Sequence, residues 1–233
     1  MLRLLLGMVA CVGLGALLVL LVGGADDTKP AASAWRVIAG VVSFQGAALV
    51  LVWLFVREHD QGWAEAFGFR HRPGRALLLG TLAVFLFFPL GQLLQLLSIN
   101  LLTRLHLDPT AQTAVEVLRL ARQGPGLIGF TLVTVVVAPL AEELVFRGIL
   151  YPAIKSAGFP QLALWGSSVL FATIHFNLSI FLPLLLLALV LAWLYEKTDN
   201  LLATIAAHSV FNAVNLGLFF LSDNFSAKLP PPQ

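Results

Sequence analysis

Long apolar runs separated by short polar stretches dominate this 233-residue chain. Runs at about residues 4–22, 35–56, 76–97, 126–154, 161–175, 180–195 and 201–221 approach or exceed the roughly 17–25 residues that a helix needs to cross a bilayer. The pattern predicts an all-α, polytopic transmembrane helical bundle of about seven spans, with six and eight as the alternatives. The fifth and sixth runs are short and separated only by Phe176-Asn177-Leu178-Ser179, so a tight hairpin or a partial dip fits them as well as two full crossings.

The first run has a second reading as a signal peptide. Arg3 supplies a basic start and Ala32-Ser33-Ala34 a small-residue cleavage site, but the run is longer than a usual signal core, which favours a retained span. Between the second and third runs, Arg57, Arg70, Arg72 and Arg75 form the densest basic cluster, which places that loop and the N-terminus in the cytoplasm. Residues 63–69 mix aromatics with Glu65 and read as an interfacial segment on that face. Residues 104–123 read as an amphipathic helix or ordered connector before the fourth span. There is no internal repeat, and Pro230-Pro231-Pro232 reads as a disordered end. The chain is expected to be one membrane domain, with N-terminal spans and connectors over 1–120, catalytic helices over 121–222 and a tail over 223–233.

Composition narrows the class further. Residues are 59% hydrophobic and only 11% charged, and mean hydropathy is +0.91, which describes a membrane protein. The net charge is +2, yet the arginines are scattered among loops with no basic stripe, so nucleic acid is not an expected partner. The single cysteine, Cys11, allows neither an internal disulfide nor a thiolate cluster.

Against that background, Glu142, Glu143 and Arg147 fall inside the fourth run. A charge at bilayer depth costs on the order of 2.5–3.5 kcal/mol before pairing, so two adjacent glutamates there point to function. His175 ends the fifth run, and His208 and Asn212 lie in the seventh. At 1.5 Å per residue, Glu142, His175 and His208 lie about 18, 21 and 10 Å from the cytoplasmic ends of their helices, so all three can meet near mid-membrane.

Spacing separates the two glutamates. Glu143 and Arg147 stand at i and i+4, the favourable order for an ion pair, whereas Glu142 is rotated about 100° away. Glu143 is thereby a structural partner of Arg147, and Glu142 is the candidate base. His208 and Asn212 lie one turn apart on one helix face and suit an oxyanion site, since asparagine is an unusual zinc ligand. Each motif alone also fits a plain helix-packing polar cluster.

Together and in order, Glu142-Glu143-x-x-x-Arg147, Phe171-x-x-x-His175 and His208-x-x-x-Asn212 resemble the three signature motifs of the CPBP family, the CAAX proteases and bacteriocin-processing enzymes. The resemblance covers about residues 137–215. It implies an α-helical intramembrane endopeptidase in which Glu142 and His175 activate water, His208 and Asn212 hold the oxyanion, and Glu143 and Arg147 support. Expected partners are membrane lipid and a hydrophobic or lipidated peptide or protein, in a bacterial plasma membrane. No cofactor is favoured; a zinc version with Glu142, His175 and His208 as ligands is the alternative mechanism. A non-catalytic membrane scaffold or immunity protein, and a proton-coupled transporter, are the alternative functions.

Overall fold

The computed structural model describes residues 7, 30–109, 118 and 126–226. The first apolar run, most of the 104–123 connector and the triple-proline tail lie outside them, Gly7 excepted. Seven helical elements occupy the described residues, with no strand among them: α1 Pro30–Glu58, α2 Trp63–Ala66, α3 Pro73–Arg104, α4 Gly126–Ser156, α5 Leu162–Thr173, α6 Leu178–Thr198 and α7 Leu201–Ser226. Four of them, α3, α4, α6 and α7, are long and apolar enough to cross a membrane. The outer faces of the bundle carry large apolar side chains into the surroundings, among them Leu82, Phe85 and Leu86 on α3 and Val50 and Leu54 on α1. An apolar exterior on a helical bundle is what lipid requires, and the chain is a multi-pass membrane protein.

At the centre is α6, half of whose most apolar stretch is buried, against 22% for α3. Leu187, Ala188 and Leu191 are fully enclosed, and α6 packs against α3, α5 and α7. Gly80 lets α3 approach α7 at the Ala203 backbone, where an added Cβ would collide with the carbonyl. The α1 helix covers the middle of α4.

Two prolines shape α4. Wide π-helical stretches at Val133–Val137 and Phe146–Leu150 each end two residues before a proline, Pro139 and Pro152. Proline has no N–H to give the preceding turn, and a widened turn relieves the clash between its ring and the backbone. Glu142 and Glu143 lie in the regular segment between the two distortions, Ala138–Val145.

The fifth run makes only the twelve residues of α5. At 1.5 Å per residue that is about 18 Å, too short to cross a hydrocarbon core of about 30 Å. α5 is therefore not a full crossing: it ends at Thr173, a short turn follows, and Asn177 caps α6 by accepting the Ser179 backbone N–H at 2.9 Å. Residues 63–69 differ from the interfacial expectation in one respect. Phe67 is buried against Gly148, where a Cβ would lie 2.7 Å from its ring, and its carbonyl accepts the Leu201 backbone N–H at 3.0 Å. The segment plugs the bundle and ties down the start of α7, because an aromatic side chain gains more by entering the core than by lying along a surface.

Candidate active site

The charged residues of α4 separate as their spacing predicts. Arg147 donates from Nη1 to Glu143 Oε1 at 2.8 Å and from Nη2 to the Ala188 carbonyl of α6 at 3.0 Å. Its guanidinium also sits 4.7 Å from the centre of the Phe171 ring. Glu143 and Arg147 are sealed from the surroundings, so each compensates the other's desolvation. His208 on α7 joins them through Nδ1, 2.9 Å from Glu143 Oε1.

Glu142 points elsewhere. Its Oε1 accepts the Gln45 side-chain amide of α1 at 3.0 Å, and its Oε2 stands 3.9 Å from His208 Nε2. Glu142, His175, His208 and Asn212 all line one cavity of about 1120 Å³ between the helices. The structure thus gathers all four around one space, although no hydrogen bond joins His175 to Glu142 among the described residues.

Hydrogen bonding orients both histidines. A carbonyl only accepts, so the 2.8 Å contact between His175 Nδ1 and the Phe171 carbonyl puts the proton on Nδ1 and leaves Nε2 as the ring's acceptor. An ionised Glu143 likewise only accepts, which puts a proton on His208 Nδ1. His175 lies in the turn after α5, and the carbonyl of Phe171 in the last turn of that helix fixes it.

Asn212 shows how the distortion in α4 serves the site. In a π turn the Thr134 carbonyl would receive the N–H five residues on, and that residue is Pro139, which has none. Asn212 Nδ2 supplies the missing donor at 2.9 Å. One amide hydrogen of Asn212 is thereby committed to helix packing, and the second remains for a ligand, so Asn212 is less free than its spacing alone implied.

Several polar cavity residues lie outside the three motifs. Gln45 on α1, Gln92 and Gln95 on α3 and Asn215 on α7 line the same space. Uncharged carboxamides stand out less sharply from an apolar run than Glu, His or Arg do. A usable signal was present all the same, since glutamine is rare in lipid-facing sequence and Gln92 and Gln95 recur at i,i+3 on one helix face.

Both ring Nε2 atoms are available in the way that metal ligation also needs. Nevertheless, among the described residues no group of three or more His, Cys, Asp or Glu side chains is placed to hold a metal ion, Glu142, His175 and His208 included.

Residues 124–214 match the family model described as type II CAAX prenyl endopeptidase Rce1-like. A 96-residue stretch is 34% identical to UPF0177 protein YxdF of Lactococcus lactis subsp. lactis (strain IL1403), covering 41% of this chain and 52% of that protein. A 78-residue stretch is 35% identical to the uncharacterized protein YpbD of Bacillus subtilis (strain 168), covering 32% of this chain and 37% of that one. The matches span about half the length of the first relative and less of the second. No solved structure gives a significant match. The family resemblance carried by the three motifs holds over the segment that contains them.

Proposed function

We propose that this chain, Rce1-like over residues 124–214, is an intramembrane endopeptidase in which Glu142 is the general base. The observation that carries the reading is the division of the α4 carboxylates. Glu143 is enclosed and paired with Arg147, while Glu142 opens onto a cavity shared with His175, His208 and Asn212. A cluster that served packing alone would have no reason to leave one carboxylate facing a space of that size.

In the proposed reaction, Glu142 removes a proton from a water that also donates to His175 Nε2. The resulting hydroxide attacks the peptide carbonyl carbon, and the carbonyl oxygen takes up the negative charge. The free amide hydrogen of Asn212 and Nε2–H of His208 donate to that oxygen. Donation by His208 requires the imidazolium, because Nδ1 already holds one proton, and the Glu143 carboxylate faces that charge. Collapse breaks the C–N bond as Glu142 returns its proton to the leaving amine, giving a carboxylic acid and an amine, and transfer of the acid proton to the amine leaves a carboxylate and an ammonium. No step uses a metal ion.

The substrate class is a hydrophobic or lipidated peptide, or a membrane protein segment, that enters from the lipid or its interface. A bacterial plasma membrane with the N-terminus and the Arg57, Arg70, Arg72 and Arg75 loop in the cytoplasm completes the reading. The test compares membrane proteomes of cells carrying the unaltered chain and Glu142→Ala, with and without chelator. Peptides cut in a Glu142-dependent, chelator-indifferent way are the expected result. Cleavage abolished by chelation and restored by zinc would overturn the metal-free mechanism, and identical proteomes would leave a non-catalytic scaffold as the function.

A further inference from the structure

Carboxamides accumulate in the cavity beyond what the reaction needs. Gln92 and Gln95 of α3 face it from one wall, and Asn212 and Asn215 of α7 from another. Gln92 Nε2 donates to Asn215 Oδ1 at 3.2 Å, and Asn215 Nδ2 donates to the Phe211 carbonyl at 2.9 Å. Gln95 makes no hydrogen bond among the described residues, and the Gln92 carbonyl oxygen is also unused. Polar groups of this kind are costly at membrane depth unless something pairs with them.

The choice of residue type narrows the ligand. A carboxamide offers a neutral donor and a neutral acceptor, which is the complement of a peptide group. No Lys or Arg lines the cavity among the described residues, so an anionic headgroup finds no counter-charge there. An isoprenoid or acyl chain would cover Gln92 and Gln95 without pairing them. An extended peptide, by contrast, sends its N–H and C=O groups out along both edges, and in low-dielectric surroundings each group needs a partner. Within each wall the carboxamides are three residues apart, about 4.5 Å along the helix axis and on one helix face. A space of about 1120 Å³ exceeds the roughly 300–1,000 Å³ of small-ligand pockets and has room for several residues.

We propose that Gln92, Gln95 and Asn215 form a binding site for the backbone of an extended peptide segment and lead it to Glu142. The inference rests on the endopeptidase reading and deepens it: recognition runs through main-chain amides, with side-chain sequence secondary, and α3, which lies outside the Rce1-like match, carries two of the three residues.

The test uses full-length Glu142→Gln protein in detergent micelles, titrated with a fluorescein-labelled decapeptide of leucine, alanine and valine. The same decapeptide N-methylated at alternate backbone amides serves as comparison. Fluorescence anisotropy should show binding about tenfold weaker for the methylated peptide, the scale of one or two lost hydrogen bonds. Adding the near-isosteric Gln92→Met and Gln95→Met changes should weaken the unmethylated peptide about tenfold and the methylated one little. If that variant does not accumulate, Gln95→Met alone replaces it, since Gln95 has no internal hydrogen bond to lose. Equal affinity for the two peptides, equal losses for both in the variant, or binding of neither overturns the proposal. Cleavage by the unaltered protein is scored separately. Methylation-sensitive, glutamine-dependent binding without cleavage removes the endopeptidase reading and keeps this site, whereas cleavage with indifferent binding does the reverse.

Discussion

Glu142 and Glu143 are neighbours with the same side chain, and the bundle treats them in opposite ways. Glu143 is wholly enclosed and receives Arg147 and His208 on one oxygen. Glu142 keeps 15% of its side chain exposed, faces the cavity and is held by a single neutral donor from Gln45. One residue of helical rotation separates a carboxylate that stabilises the fold from one that is available for chemistry. What distinguishes the two is enclosure together with a fixed cation: Glu143 is sealed beside Arg147, whereas Glu142 opens onto the cavity with no such partner.

That contrast can be broken most forcefully at Arg147. Arg147→Met should leave Glu143 as an uncompensated buried charge and cost about 3–5 kcal/mol of stability, read as a large drop in melting temperature in detergent or failure to accumulate in membranes. Unchanged melting would show that the pair is not structural. Glu142→Gln should behave oppositely: stability within about 1 kcal/mol of the parent, because its side chain borders the cavity and can still bond Gln45, with turnover down by about 10²–10⁴-fold. A smaller effect sharpens the open half. Gln45→Leu removes the donor that orients Glu142, and should lower turnover about tenfold, the scale of one hydrogen bond to a charged group. Gln45→Asn, with a shorter reach, should fall between the two, measured as initial rates on one substrate. A Gln45→Leu protein with full turnover would mean that Glu142 orients itself.

Much of this was legible in the chain. Long apolar runs dictate helices because nothing else satisfies backbone groups in lipid, and six of the seven predicted runs coincide with helices of the described residues. The i,i+4 relation of Glu143 and Arg147 is local geometry, so the pair could be read directly from spacing. The short α5 was visible as an ambiguity and not as an answer, since a run of marginal length decides between hairpin and crossing only through the elements that pack around it. The burial of Phe67 was hidden, because an aromatic in a loop gives no sign of the glycine, Gly148, that receives it from another helix.

The sequence by itself determined the helical membrane class, the separation of Glu142 from Glu143 and the four residues worth watching. It could do so because hydropathy and helical periodicity are properties of neighbours along the chain. Only the tertiary structure decided that Gln45 holds Glu142, that Asn212 serves the carbonyl Pro139 leaves open, and that glutamines of α3 share the cavity onto which Glu142 opens. Those contacts join residues about eighty to more than a hundred positions apart, and which helices face one another is set by packing of the whole bundle, through close approaches such as Gly80 on α7.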